Sequence, residues 1–414
     1  MLNDSIRYQS GELYCDAVPV REIATQTGTP VYVYSLSRAL ANLARIRAAF
    51  TELNPEIHYS AKANSNLTLL RALHEAGVGV DAVSEGEIRR AIYAGVPASE
   101  IVFAGVGKTF SELQYAIQAG VGWINVENVL ELEYINQIAM HHNRRVRVAL
   151  RLNPDVTAAT HKYIATGHGY AKFGLSIETV QALLARQDDY PSVEIVGLHI
   201  HIGSQLHDTA ATRRAVEVVL ECLAPYPHIR HINIGGGLAV AYRADEPIPS
   251  WESFANAVTP LLKGYAVILE PGRSIIADAG MLVVSTLYTK QQGQEHILIS
   301  DGSMAELIRP ALYEAHHEII PVMQAPASQQ NLAYHVVGPV CESADALGHH
   351  IPLPVTQAGD LLAVLTAGAY GMVMASNYNQ RLRPPEVMVM PDGKRWQITR
   401  RRETWDDLLR EEVG

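Results

Sequence analysis

Cysteine is almost missing from this chain of 414 residues: Cys15, Cys222 and Cys341 are its three, and no CxxC pair occurs. A count so sparse and odd excludes a disulfide scaffold and reads as a reduced protein of the cytosol. No stretch approaches the eighteen apolar residues of a membrane span, and Met1 to Thr29 lacks the apolar region of a secretory signal, so a soluble, unprocessed protein is expected. Positive charge is short too: 33 Lys and Arg against 43 Asp and Glu give a net charge of −10. Nucleic acid and anionic membranes would be repelled at range, so neither is expected as a partner; a cationic or zwitterionic small molecule fits better. The chain has no 20–50-residue repeat and no low-complexity tract. The His pairs 141–142, 316–317 and 349–350 cannot place both rings on one helical face and no HExxH occurs, so no protein metal site is expected.

What is present is apolar surface to bury. With 48% hydrophobic and 18% charged residues, the chain can build a large core in two unequal domains. Short β-rich runs recur at Ile57–Ala61, Gly79–Val83, Ile101–Ala104, Trp123–Val126, Arg147–Leu152, Ile195–His201, Ile232–Ile234 and Ala266–Leu269. Helical patterns lie between them. The clearest is Ser65 to Ala76, where Leu67, Leu70, Leu73 and Ala76 make one stripe, Ser65 stands at the start and Gly77 at the end. Ser84-x-x-Glu87 and Thr109-x-x-Glu112 have capping-box spacing. Eight such cycles predict a (β/α)8 barrel over residues 30–278, with a doubly wound sheet as the alternative. Beyond Asp278 the pattern turns to strands without long helices, which predicts a β-rich domain of residues 279–414 joined by the N-terminal residues 1–29.

A barrel collects its chemistry just after the C-terminal ends of its strands. Lys62 and Asn64 follow the first run, Asp81 and Ser84 end the second, His201 to Ser204 end the sixth, Gly235 to Gly237 the seventh and Glu270 to Arg273 the eighth. Lys62 has small apolar neighbours, and desolvation there would make its amine nucleophilic enough for a Schiff base; taken alone, such a residue is more often a solvated strand-end lysine. Gly235, Gly236 and Gly237 would let backbone N–H groups approach an anion, and Gly272 offers a similar turn, although three glycines also make an ordinary tight turn. His201 could stack on a flat cofactor or be a satisfied core histidine, with His199 facing the same side. Glu270 could keep a pyridine nitrogen protonated, so that the ring accepts an electron pair, or simply pair with Arg273. Ala104-Gly-Val-Gly-Lys-Thr109 ends like a phosphate-binding loop, but Val102 stands where its first glycine belongs, so ATP binding is not expected.

The motifs Tyr59-Ser-Ala-Lys-Ala-Asn-Ser-Asn66, Val83-Ser-Glu-Gly-Glu87, Lys172-Phe-Gly174, His201-Ile-Gly-Ser-Gln205, Gly235-Gly-Gly-Leu238, Glu270-Pro-Gly-Arg273, Leu307-Ile-Arg-Pro-Ala-Leu-Tyr313, Gly338-Pro-Val-Cys-Glu-Ser343 and Gly368-Ala-Tyr-Gly371 stand in one order along the chain. Together they resemble the diaminopimelate decarboxylase family, and more widely the ornithine and arginine decarboxylases of the alanine racemase-like barrel fold. The resemblance implies a pyridoxal 5'-phosphate enzyme that converts meso-2,6-diaminopimelate to L-lysine and carbon dioxide, the last step of lysine biosynthesis, in the cytoplasm and as a homodimer with shared active sites. It implies that Lys62 carries the cofactor, that His201 stacks on the ring and that Glu270 meets its nitrogen. Ser204, Gly235, Gly236, Gly237, Gly272, Arg273 and Tyr370 would hold the phosphate end. Arg273, Arg309, Tyr313, Glu342 and Tyr370 would contact substrate, while Cys341, arriving with Glu342 from the other subunit, would protonate the carbanion left by carbon dioxide. Without the resemblance, Cys341 reads as an inert buried thiol, and Arg309 and Glu342 as surface charges.

The chain departs from the family pattern at Ala305, where an asparagine usually follows the methionine, and at Asp278, where asparagine is frequent. A related decarboxylase acting on a siderophore intermediate, a carrier-bound amino acid, ornithine or arginine is therefore an alternative, as is a non-catalytic homologue that only binds the cofactor. An alanine racemase would place an arginine, not Glu270, at the pyridine nitrogen.

Overall fold

The computed structural model describes residues 1–156 and 172–412. They fall into two compact units, one of Leu43–Ala239 with Pro247–Ser274, the other of Met1–Asn42 with Val240–Glu246 and the chain from Ile275 onward. No described helix is long and apolar enough to cross a membrane.

In the first unit, strands Glu56–Ser60, Gly79–Ala82, Ile101–Phe103, Trp123–Val126, Val146–Arg151, Val193–His199, His231–Asn233 and Ala266–Leu269 pair in sequence order into a closed barrel. Every ladder is parallel, and the last strand returns to the first through Ile268↔Glu56 and Leu269↔Ile57. Closure removes the doubly wound alternative. Because most strand residues are buried on both faces, the runs read as continuous apolar segments instead of alternating ones. Val102, Trp123, Val196 and Ile268 pack together inside, so the interior is filled and the chemistry is left to the rim.

Capping fixes where the helices begin. Leu67–Glu75 starts one residue later than the stripe suggests, because Asn66, not Ser65, accepts the N–H of Thr68. Thr109 and Glu112 form the expected reciprocal box before Phe110–Ala119, which ends on left-handed Gly120 at φ 79°. Ser84 Oγ accepts Glu87 N–H at 3.2 Å, while the Glu87 carboxylate reaches back to Val83 N–H at 2.8 Å.

That second box is pH-dependent. Burial, reinforced by the charge of Asp81 and opposed by the Val83 bond, pushes the Glu87 carboxyl up to about 7. The folded protein then keeps a proton that the unfolded chain releases near 4.5, so this contribution to stability is full below 4.5 and is lost as pH rises to 7. Wild type is expected to lose more stability than Glu87→Gln between pH 5 and 8, by at most about 3 kcal/mol; urea unfolding across that range checks it, and parallel curves would remove Glu87 as the cause.

The second unit carries a sheet ordered Ala346–Pro354, Asn331–Val337, Glu295–Ser300, Gly280–Gln292, Val31–Ser35, Glu386–Val389 and Trp396–Arg400. Leu361–Val364 pairs with Gly280–Gln292, and Ile319–Pro321 with Leu361–Val364. A smaller sheet joins Ile6–Gln9, Glu12–Cys15 and Val18–Pro19. Its core gathers Ile6, Leu13, Val31, Val33, Val283, Leu365 and Val387. The sequence placed the boundaries at residues 30 and 278, whereas residues 30–42, 240–246 and 275–278 group with this unit. Val31–Ser35, buried at every position, lies in this unit's sheet between Gly280–Gln292 and Glu386–Val389, which draws residues 30–42 into it. Asp278, the departure from the family pattern, is matched within this unit by Arg38 at 2.5 Å and Asn42 at 2.6 Å.

Candidate active site

The first barrel strand ends at Ser60, and the chain turns through Ala61–Ala63, which carries Lys62. Buried Ala61 and Ala63 anchor the turn, and Tyr59 Oη donates to Asn64 O at 3.0 Å. The Lys62 side chain is 37% exposed, and its Nζ lies 3.2 Å from Asp81 Oδ2. Ser60 Oγ donates to the same oxygen at 2.6 Å. The sequence invoked apolar surroundings for the amine; the structure supplies a buried carboxylate instead. Burial raises the Asp81 carboxyl above its ordinary value despite Lys62 beside it, which suits it to receive the ammonium proton when the amine must act as a nucleophile.

Glu270, 5% exposed at the end of the eighth strand, is held from three sides. Asn233 Nδ2 donates to Oε1 at 2.6 Å, Asn125 Nδ2 to the same oxygen at 3.2 Å, and His199 Nε2 lies 3.2 Å from Oε2. Burial by itself would favour the neutral acid, but His199, Lys62 and the Asn233 bond outweigh it and hold the carboxyl far below the usual range. The result is a permanent anion inside the barrel mouth. Composition and spacing did not reveal Asn125 or Asn233; their signal is that polar side chains stand on strands otherwise buried and apolar.

His201 follows the sixth strand. Its Nδ1 faces the N–H of Gly236 at 3.4 Å. Burial, together with Lys62 and Arg151, lowers its pKa well below the ordinary histidine value and keeps the ring neutral. The three glycines serve close packing more than the sequence suggested. A Cβ on Gly236 would stand 2.2 Å from Glu270 O, and one on Gly237 2.3 Å from Gly203 O, so no other residue fits. Gly235 N–H is already committed to Asn233 Oδ1 at 2.8 Å. Gly272 passes Ser60 less closely, with a Cβ there 2.9 Å from Ser60 Cβ, and Arg273 Nη2 donates to Ser204 Oγ at 3.3 Å, so a cation and a hydroxyl expected at one anion do meet.

Lys108, the phosphate-loop look-alike, is occupied within the protein. Its side chain is 1% exposed, and Nζ donates to Gly105 O, Asn125 O and Glu131 Oε1 at 2.7, 2.7 and 2.6 Å. Next to it, Arg151 Nη1 donates to Glu127 Oε1 at 2.6 Å and lies over the Phe173 ring, while Gly174 N–H reaches Glu127 Oε2. The Lys172-Phe-Gly174 motif is thereby fixed to the fourth and fifth strand ends.

In the second unit, reading the residues alone is inverted at two positions: Cys341 is exposed and Arg309 is 6% exposed. Arg309 Nη1 donates to His317 Nε2 at 2.9 Å and lies over the Tyr242 ring at 4.6 Å. His317 Nδ1 lies 2.9 Å from Leu365 O, so the ring proton points there and Nε2 is left as the acceptor. Burial and the Arg309 charge hold His317 neutral, as that arrangement requires. Tyr313 closes the short helix Arg309–Tyr313. Glu342 is exposed, as expected, and accepts from Tyr378 Oη. Asp345 ties the Cys341–Glu342 loop by accepting Val340 N–H at 2.7 Å and Met304 N–H at 2.6 Å. Tyr370 adopts a left-handed φ of 55°, a costly backbone for tyrosine that marks a constrained position.

A family model described as "pyridoxal-dependent decarboxylase, pyridoxal binding domain" matches residues 37–277. A diaminopimelate decarboxylase of Aquifex aeolicus is 40% identical over 413 residues, covering 98% of this chain and 97% of that protein. A crystal structure of diaminopimelate decarboxylase from M. jannaschii in complex with L-lysine shares 35% identity with a TM-score of 0.92, covering 100% of this chain and 98% of that one. The Helicobacter pylori enzyme complexed with L-lysine shares 34% with a TM-score of 0.88, over 94% of this chain and 98% of its own.

The residues present fit pyridoxal 5'-phosphate. An amine stands beside a proton acceptor, a buried anion suits a protonated ring nitrogen, and Arg273 with Ser204 suits an anionic group. Asp81 Oδ1, Asn125 Oδ1 and His199 Nδ1 are buried without a hydrogen-bond partner among the described residues, a cost that a polar ligand could relieve. Geometry, family model and relatives agree, and this chain belongs to the pyridoxal-dependent decarboxylases, within the diaminopimelate decarboxylase family.

Proposed function

We propose that this chain decarboxylates meso-2,6-diaminopimelate to L-lysine and carbon dioxide, the closing step of lysine biosynthesis, with Lys62 carrying the cofactor. The observation that carries the reaction type is Glu270, buried and kept anionic by His199, Asn125 and Asn233. Pyridoxal phosphate, when bound, supplies the ring that accepts the electron pair left by the departing carboxyl group. Glu270 holds a proton on the ring nitrogen, and neutral His201 offers a flat face without adding charge. Ser204, Gly236, Gly237, Gly272, Arg273 and Tyr370 would hold the phosphate end, with Gly235, its N–H committed to Asn233, shaping the turn beside it. Asp81 receives and returns the Lys62 proton.

Substrate choice rests on Arg309. A buried guanidinium, oriented by a neutral histidine, suits the distal carboxylate, and Glu342 suits the distal ammonium. Ornithine lacks that carboxylate and would forgo the charge-assisted contact with Arg309. Arg273, Tyr313 and Tyr370 complete the substrate contacts, and Cys341 gives the proton that replaces carbon dioxide. Carbon dioxide release by the purified protein with pyridoxal phosphate tests this against L-lysine, L-ornithine, L-arginine and carboxynorspermidine. Turnover of diaminopimelate alone supports the proposal. Cofactor binding without any turnover of the set would move the assignment to a siderophore or carrier-bound substrate, a change for which buried Ala305 is the place to look.

The proposal includes a cytoplasmic homodimer with Cys341 and Glu342 serving the other subunit's site. Mixing inactive Lys62→Ala and Cys341→Ala proteins is then expected to restore about a quarter of wild-type activity, since random pairing makes half the dimers mixed, each with one intact site. No recovery after confirmed subunit exchange would place each site within one chain.

A further inference from the structure

The strands Asn331–Val337 and Ala346–Pro354 fall out of register where Tyr334 pairs with Ile351 but Val336 pairs with Gly348. One residue, His335, therefore faces two, His349 and His350, across a β-bulge. In a regular strand these neighbours would point to opposite faces. His350 instead takes a left-handed φ of 54°, and both imidazoles gather on His335, with ring centroids 5.2 Å (His349) and 4.5 Å (His350) from it. The sequence dismissed this pair on helical spacing, an argument that does not apply to a bulged strand. On the other side of His335, Glu295 begins the neighbouring strand and its Oε2 lies 2.8 Å from His335 Nε2. Ligating atoms of Glu295, His335 and His350 all lie within 4.8 Å of one another.

We propose that Glu295, His335 and His350 form a binding site for a divalent transition-metal ion, zinc or its neighbours copper and nickel. Two imidazoles and one carboxylate are the donor set these borderline ions favour, whereas calcium and magnesium require oxygen. His349 is a positioning residue. Its Nδ1 lies 2.9 Å from His335 Nδ1; accepting the proton there leaves His335 Nε2 bare and aimed at the ion, the usual outer partner of a metal-bound histidine. The ion would join three strands of the β-rich unit, and none of its ligands belongs to the decarboxylation machinery.

Zinc chloride titrated into untagged, pyridoxal phosphate-loaded protein against a chromophoric chelator tests the site. One equivalent per chain is expected. His335→Ala, His350→Ala and Glu295→Gln should each weaken it by about 100-fold or more, and His349→Ala by about 10- to 100-fold, with carbon dioxide release unchanged in all four. Glu295 and His350 are exposed, so their variants keep the fold, and metal-free melting curves matching wild type verify it. Cobalt in place of zinc should show imidazole-ligand absorption that vanishes in His350→Ala. The proposal is overturned if wild type takes up no stoichiometric zinc, if the histidine variants bind as tightly as wild type, or if binding is lost with Cys341→Ser instead.

Discussion

Replacing Lys62 by alanine is expected to abolish the visible absorbance of lysine-bound pyridoxal phosphate and to lower turnover by about 10³-fold or more. The amine stands on a turn between two buried alanines, with Asp81 at 3.2 Å as its proton partner, an arrangement that cannot be supplied from elsewhere on the barrel rim without moving a strand end. The barrel itself should survive the change. The lost side chain is partly exposed, so no closed cavity opens, and Asp81, whose carboxyl is already raised by burial, can take up a proton once the ammonium is gone. Far-ultraviolet circular dichroism should match wild type while the visible band disappears. A retained band would remove Lys62 from its role.

Glu270→Gln is expected to keep fold and cofactor content but reduce kcat by about 10²- to 10³-fold. The amide is nearly isosteric, yet it loses the charge that Asn233, Asn125 and His199 surround. It must also present an NH₂ group toward donors that previously met only acceptor oxygens. A neutral partner cannot keep a ring nitrogen protonated, so the ring accepts electrons less well. The effect should fall on kcat more than on KM, because the charge matters when the electron pair arrives and not when substrate binds. Near-normal kcat at equal cofactor content would show that the electron sink does not depend on this carboxylate.

Much of the barrel was legible because parallel strands buried on both faces leave continuous apolar runs, and because the residues at their ends are chemically unusual. Lys62, His201, Gly235 to Gly237 and Glu270 were found that way, and the structure sets each on the rim. The residues that make them work were harder to see. Asp81 was visible only as a strand-end residue, and the roles of Asn125, Asn233 and His317 not at all, because each acts through contacts with other segments of the chain that no local pattern marks. His199 was half-visible, since alternation put it on the same side as His201, but its tie to Glu270 depends on how the sixth and eighth strands close. The boundary at residue 30 fell too early because Val31–Ser35, outside the eight predicted runs, pairs into the β-rich unit's sheet through partners far along the chain. Cys341 and Arg309 exchanged their expected environments for a related reason: exposure is set by the loop that Asp345 ties down and by the pocket of His317 and Tyr242, not by residue type.

The placement of Lys108 bears on selectivity between amines. An amine condenses with an aldehyde only when its lone pair is free, and every Lys108 proton is directed at an acceptor in the fold, two carbonyls and the Glu131 carboxylate. Lys62 lies beside Asp81 and is partly open to solvent. Two lysines on the loops of one barrel rim are thus distinguished before any ligand arrives. Reactive aldehydes and acylating metabolites should meet the same discrimination, modifying Lys62 when the cofactor is missing, sparing it when the cofactor is seated, and leaving Lys108 untouched in both states.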